Sequence, residues 1–349
     1  MANITLLHWN IETFGPAKYR NTNRPNFIRY IASLVNNVNA DIFTMVEVKN
    51  SVSAAIATNI ATDINLLQGI LPVNNPWRSV IINSAFNNEA YIIMYRVDRN
   101  FAPVQLGMAG PVANALLPPD NGLATNDIYG ATVQFPSRHT PRYGRRPFYA
   151  TFQTTDTNHT FSVLSYHAMY GAGTAYGVRR IPSIDFVSQF EDDTAMYASL
   201  IAGDFNVDYN VDNIEYTNLL ALPSYPATNQ ETSLQNDPIY SDDPLAYRSS
   251  AYDNIFQKVP APVGMGNVID LMLASAIVPA PSLPPPAAQP GVGNLSAAAG
   301  AFNIPALNHY LARIITPIAA LPPGDMGSSW DFVREGISNH YPVTTTTAI

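Results

Sequence analysis

The residues of this 349-residue chain best placed to do chemistry are carboxylates, amides and imidazoles at the ends of apolar, β-like runs. Gly203-Asp204-Phe205-Asn206 follows the apolar run Ser199-Leu200-Ile201-Ala202. A strand ending this way delivers Asp204 and Asn206 to a sheet rim, on one side if the strand continues, as two oxygen ligands. Hard cations such as magnesium favour oxygen ligands. An Asx turn closing a strand uses the same residues, so the motif gains weight only in company. Glu47 provides some, lying within Asp41-Ile42-Phe43-Thr44-Met45-Val46-Glu47-Val48. A carboxylate in an apolar strand is costly to desolvate unless a cation or partner compensates it, which makes Glu47 the leading candidate metal ligand. Its competing reading is an edge-strand residue facing water.

Two of the six histidines stand at the ends of β-like runs: His167 in Leu164-Ser165-Tyr166-His167-Ala168 and His340 in Ser338-Asn339-His340-Tyr341-Pro342-Val343. Imidazole titrates near neutrality, so one such group can take a proton from water while another supplies one to a leaving oxygen. A hydrogen-bonded core histidine is the plainer alternative for each. His8, His139, His159 and His309 have no comparable setting and take no role. Tyr252-Asp253-Asn254-Ile255-Phe256 brings an aspartate into another β run. Beside an imidazole, such a carboxylate fixes the tautomer and stabilises the imidazolium form. Near the start, Leu6-Leu7-His8-Trp9-Asn10 closes an apolar strand with an amide.

Strands are expected at residues 4–10, 41–48, 90–96, 131–135, 148–154, 161–167, 199–204, 252–257 and 342–347, each bounded by Gly, Pro, Asn or Asp. Helices are expected at 26–38, 53–71, 181–198 and 304–320. Several strand pairs are too close in sequence for helical crossovers, which favours an antiparallel-rich pair of sheets flanked by helices over a doubly wound parallel sheet. No fixed-period repeat argues for a solenoid or propeller. Pro-containing tracts fall at 223–250 and 278–304. Because the chemical motifs lie on both sides of each tract, these are expected to be surface insertions in one domain spanning 1–349.

Composition narrows the function classes. The chain is 47% hydrophobic and 13% charged, enough for a large core. Its net charge of -8 disfavours a protein that coats nucleic acid through a broad basic face, although a local basic groove is allowed. With no cysteine there is no disulfide, thiolate nucleophile or sulfur-held zinc. No transmembrane run of about 18 apolar residues and no signal-peptide layout is seen, so a soluble chain is expected and its compartment stays open.

In order, the motifs are an asparagine closing the first strand, a buried glutamate, a strand-end histidine, Gly-Asp-Phe-Asn, Tyr-Asp-x-Ile and a C-terminal His-Tyr-Pro-Val. Together they resemble the endonuclease/exonuclease/phosphatase superfamily over residues 4–346. The pattern is most similar to that of deoxyribonuclease I-like members, through Trp9-Asn10-Ile11-Glu12-Thr13-Phe14-Gly15, Tyr252-Asp253 and His340-Tyr341-Pro342-Val343.

The resemblance implies an α+β, four-layer αββα sandwich of two mixed, largely antiparallel sheets. It also implies a monomeric endonuclease with DNA as its substrate. Glu47 binds a divalent metal, magnesium or manganese, with calcium possible as a structural ion. Asn10, Asp204 and Asn206 complete the metal's surroundings or hold the scissile phosphate. His340, oriented by Asp253, activates water, and His167, paired with Glu89, assists the departing oxygen. Lys49 and Arg145 match phosphate-gripping positions, with solvated surface charge as their alternative. The family usually has Ser-Asp-His where this chain has Ser338-Asn339-His340. Asn339 keeps an oxygen ligand but removes a negative charge, implying weaker metal binding and slower turnover. A phospholipid or small-phosphoester hydrolase remains as the second reading. A phosphate- or protein-binding member without turnover is the third.

Overall fold

The first apolar run forms β1 (Asn3–Phe14), the strand around which one sheet is organised. It pairs in parallel with β2 (Ile42–Lys49) and antiparallel with β13 (Val343–Ala348), so the two ends of the chain lie side by side. A parallel neighbour requires a crossover, which α1 (Pro16–Arg20) and α2 (Arg24–Val38) provide. The computed structural model describes residues 2–20, 24–83, 88–104, 130–132, 145, 147–168, 198–211, 216, 224–226, 228–234, 248–258, 266–269 and 338–349.

After β2 the chain enters α3 (Asn50–Gln68), then the hairpin of β3 (Trp77–Asn83) and β4 (Glu89–Arg96). With β12 (Asn267–Val268), these strands form a six-stranded sheet in the order β12-β13-β1-β2-β4-β3. The second sheet contains β5 (Phe101–Pro103), β6 (Gly130–Thr132), β7 (Phe148–Thr154), β8 (Thr160–His167), β9 (Ala198–Asp204), β10 (Ser224–Pro226) and β11 (Asp253–Lys258). Its order is β10-β11-β9-β8-β7-β5, with β6 also on β7. Only β1–β2 and β8–β9 are parallel pairs among the described strands. The expected α+β sandwich of mixed, largely antiparallel sheets is thus present.

The sheets meet over a continuous apolar core that runs from Leu6, Ile42 and Ile93 on one side to Phe152, Val163 and Ala202 on the other. Each large side chain buried there is worth roughly 1.5–3 kcal/mol. Helices α1–α3 cover the first sheet. Among the described residues, Phe205, Val207 and Tyr216 cover the far face of the second, packing on Leu164, Tyr166, Ile201 and Phe256.

Some boundaries differ from expectation. Helix α3 begins at Asn50 and stops at Gln68, short of the expected end, because Gly69 takes a left-handed conformation (φ 68°) and caps it. Strand β3 was not expected; it is an edge strand whose sequence lacks clean alternation. The helices expected at 181–198 and 304–320 lie outside the described residues, apart from Ala198, which opens β9. The tract at 278–304 and the remainder of 131–135 beyond Thr132 also lie outside them. Of the tract at 223–250, β10 and residues 228–234 and 248–250 are described.

Candidate metal and catalytic site

Strand alternation carries the site to one end of the sandwich. In β8, Phe161 and Val163 face the inter-sheet core while Leu164 and Tyr166 face away, so His167 points inward. In β9, Leu200 and Ala202 face inward, and Asp204 follows them; in β11, Ile255 does the same for Asp253. Register aligns the three: His167 is opposite Asp204, and Asp204 is opposite Asp253. Directly opposite residues share a face, so one row of the second sheet presents an imidazole and two carboxylates. Close approach of β8 and β9 is built in by Gly203, where a Cβ would lie 2.2 Å from the Tyr166 carbonyl oxygen.

The first sheet answers with His8 and Asn10 on β1. Both flanking strands then break regularity. The β1–β2 register shifts between Asn10 and Phe14, with Glu12 (φ 37°) and Thr13 (φ 44°) in the left-handed region. The β2–β4 register shifts between Met45 and Val48, around Glu47 (φ 61°). Such bulges re-aim side chains. Here the irregularity turns the Glu47 carboxylate to the second sheet, where its Oε1 lies 3.4 Å from His167 Nε2. Positive φ at a non-glycine residue is strained and is held only by surrounding structure. Thr13 helps by donating its backbone N–H and its hydroxyl to Glu47 Oε2.

At the centre, Asn10 Nδ2 donates to Glu47 Oε1 (3.1 Å) and to Asp204 Oδ2 (2.9 Å), while its Oδ1 accepts the Glu12 N–H. The amide nitrogen of Asn10, expected to offer a metal an oxygen, thus bridges the two carboxylates. His167 Nε2 and His340 Nε2 lie 3.7 and 3.8 Å from the same Asp204 Oδ2. Each imidazole has a carboxylate behind it. Asp253 Oδ2 accepts from His340 Nδ1 at 2.7 Å, and Glu89 Oε2 lies 3.4 Å from His167 Nδ1. The loop bearing His340 is fixed from β1: Ser338 Oγ donates to Asn10 O, and Trp9 Nε1 donates to His340 O.

The remaining expected residues sit around this centre. Asn206 lines the cleft, donates Nδ2 to Ala168 O and donates its backbone N–H to Asp204 Oδ1 in a turn. Asn339 lines it too, its N–H donating to Glu12 Oε2 and its own side-chain oxygen buried. Arg145 and Lys49 face inward. Arg145 is buried and donates through Nε and Nη2 to both Glu89 oxygens and through Nη1 to Ala168 O. Lys49 Nζ lies 3.6 Å from Glu89 Oε1. Glu12 and His8 were missed by sequence reasoning. Both stand two residues from Asn10, so strict alternation already placed all three on one face.

Electrostatics follow from this crowding. Burial works against ionisation of Glu89, but His167 and Arg145 outweigh it and hold the carboxyl down at about 2. Burial likewise opposes charge on Asp253, yet the His340 charge and hydrogen bond keep it at about 2. Asp204 is pushed up, first by burial and then by the negative charge of Asp253. Burial disfavours imidazolium at His340, but Asp253, Asp204 and Glu47 overcome this and raise its pKa to about 10. Glu12 is pushed up by burial, with Glu47 adding to the effect.

A cleft of about 420 Å³ opens onto Glu12, Glu47, His167, Asp204, Asn339 and His340. Ligand atoms of Glu47, His167 and Asp204 lie within 4.8 Å of one another, as do those of Asp204, Asp253 and His340. Two oxygen donors with an amide oxygen nearby suit a hard divalent cation, whose charge would offset the burial and the Asp253 charge that push Asp204 up.

No protein-family model and no curated protein sequence matches the chain. Solved structures do. An endonuclease/exonuclease/phosphatase family protein from Bacteroides thetaiotaomicron superposes with a TM-score of 0.54 at 13% identity, covering 99% of this chain and 98% of that one. A mannosyl-6-phosphatase from the same organism gives 0.53 at 14% identity over 99% and 100%. A family protein from Bacteroides vulgatus gives 0.52 at 12% identity over the full length of both chains. Two facing mixed sheets, with carboxylates and imidazoles gathered at one end of them, are therefore built in this chain on the endonuclease/exonuclease/phosphatase fold.

Proposed function

We propose that this chain is a divalent-metal-dependent phosphoester hydrolase, and that its substrate is a phosphodiester, with DNA the first choice. One observation carries the proposal: Asp204 Oδ2 is approached by Asn10 and by the Nε2 atoms of two imidazoles, each backed by its own carboxylate. Two opposed imidazoles are what in-line displacement at phosphorus needs, one on the side of the entering water and one on that of the departing oxygen.

Glu47 and Asp204, with Asn339 nearby, would hold the cation. When bound, magnesium or manganese supplies Lewis-acid stabilisation of the charge that grows on the non-bridging oxygens. Asn10 sets the spacing of the two carboxylates. Asp204 and Glu47 help hold His340 as imidazolium; a cation offsetting their charge would free its Nε2 to take the proton of the attacking water, while its Nδ1–H stays on Asp253. His167, held by Glu89, donates toward the leaving oxygen. Lys49 and Arg145 act through Glu89, fixing that carboxylate behind His167, and Asn206 presents an amide to a phosphate oxygen.

A small phosphoester is the second reading. It is favoured by Glu12 in the cleft wall, where a carboxylate repels a polyanionic strand, and by the likeness to the mannosyl-6-phosphatase. A panel of plasmid DNA, bis(4-nitrophenyl) phosphate and hexose 6-phosphates, with magnesium, manganese or chelator, separates the readings. Chelator-sensitive plasmid nicking that disappears in His340→Ala supports the nuclease. Turnover of the sugar phosphates alone supports the second reading, and no turnover of any phosphoester removes both.

A further inference from the structure

We propose that His8 is a positioning residue of the catalytic machinery, fixing Asp253 from the side opposite His340. The inference rests on the reading of Asp253 and His340 as an acid–base pair, and it adds a third member to that pair.

His8 and Asp253 are fully buried, and neither reaches solvent. The two oxygens of Asp253 are treated differently. Oδ2 receives His340 Nδ1–H at 2.7 Å and the Thr232 hydroxyl at 3.1 Å. Oδ1 has no hydrogen-bond partner among the described residues, and the same is true of His8 Nε2. These two buried, unpartnered atoms face each other at 3.7 Å. A buried donor and acceptor both left unsatisfied are costly, so each is the natural partner of the other. A shortening of about 0.7 Å brings them to hydrogen-bond distance.

The far side of the ring sets the tautomer. His8 Nδ1 lies 2.9 Å from Thr44 Oγ1, directly across the parallel β1–β2 pairing. The Thr44 hydroxyl has one proton and two acceptors within reach, Leu7 O at 3.5 Å and His8 Nδ1 at 2.9 Å; given to the nearer, it leaves the proton of neutral His8 on Nε2, pointing at Asp253 Oδ1. That arrangement satisfies every atom in the row from Thr44 through His8 and Asp253 to His340. The opposite tautomer aims an imidazole lone pair at a carboxylate. With both oxygens held, the carboxylate cannot rotate about its χ2, and His340 stays aimed at Asp204 and the cleft. An apolar residue at position 8 releases one oxygen and leaves Asp253 to pivot.

Ring-nitrogen NMR on the metal-free protein, with histidine labelled by ¹⁵N, tests this without any substrate. The expected result is a proton on His8 Nε2; a neutral His8 protonated only at Nδ1 overturns the proposal. His8→Leu should move the His340 Nδ1–H resonance and lower kcat on the order of 10-fold with KM nearly unchanged, and His8→Gln, which retains an N–H donor, should restore much of both. A folded His8→Leu protein with an unmoved His340 resonance also overturns it. Absence of phosphoester turnover in the wild type instead rejects the hydrolase reading and leaves both NMR outcomes to decide the role of His8.

Discussion

Gly203→Ala tests whether strand spacing sets the site. The added methyl carbon falls 2.2 Å from the Tyr166 carbonyl oxygen and 3.0 Å from its carbonyl carbon. Carbon and oxygen settle at about 3.3 Å even in close C–H···O contacts, so β8 and β9 must part locally by about 1 Å. Both obstructing atoms are backbone, and no rotamer change relieves the clash. Tyr166 and Gly203 are paired, and the next pair in the ladder is His167 with Asp204. A displacement on that scale at the reacting groups costs roughly 100-fold in rate, and overpacking of a filled interior costs about 1–3 kcal/mol. Urea denaturation, with the slope checked for constancy, gives the stability change, and bis(4-nitrophenyl) phosphate hydrolysis at saturating metal gives the rate. A variant within about threefold of wild-type rate and about 0.5 kcal/mol of its stability refutes the claim that this contact holds His167 against Asp204.

Asp204→Asn removes a buried carboxylate that burial and Asp253 already push toward neutrality; the metal-free protein should melt no lower than wild type, while the rise in Tm on adding magnesium or manganese disappears. Retention of that rise excludes Asp204 as a ligand. Glu89 has its pKa depressed from 4.5 to about 2, so its stabilisation is complete above about pH 4.5 and is lost as pH falls toward 2. Wild type should therefore exceed Glu89→Gln by on the order of 2–3 kcal/mol at neutral pH, with the gap closing below about pH 4; a gap independent of pH contradicts this. His340 is held at about 10 by Asp253, Asp204 and Glu47 against the opposing effect of burial. Its contribution to stability is thus complete below 6.5 and is lost as pH rises through about 10. Saturating metal counters the charge of Asp204 and Glu47 and should lower the His340 midpoint, as followed by its ring resonances. An unchanged midpoint places the ion elsewhere.

Much of the site was legible because its residues sit at strand ends. Asp204, His167, Asp253 and His340 each close or open an apolar run, and a sheet rim is where such residues meet. Other features depend on partners remote in sequence. Glu47 reads as one member of an alternating strand, yet its aim comes from the bulge around it. Asn10 offers an oxygen or a nitrogen, and two carboxylates from different strands select the nitrogen. Lys49 and Arg145 are expected to grip phosphates, with solvated surface charge as the alternative, because nothing nearby in sequence pairs with them; their partner, Glu89, comes from β4. His8 was passed over as an isolated histidine, although its spacing from Asn10 put it on the site's face. Its significance required Asp253, 245 residues away in the chain and 3.7 Å away in space.

Anomalous scattering from crystals soaked in manganese tests the central claim most directly. The account predicts one strong peak in the cleft, about 2.1 Å from carboxylate oxygens of both Glu47 and Asp204, and its loss in Asp204→Asn. A peak bound elsewhere, or none at a concentration that saturates activity, contradicts it.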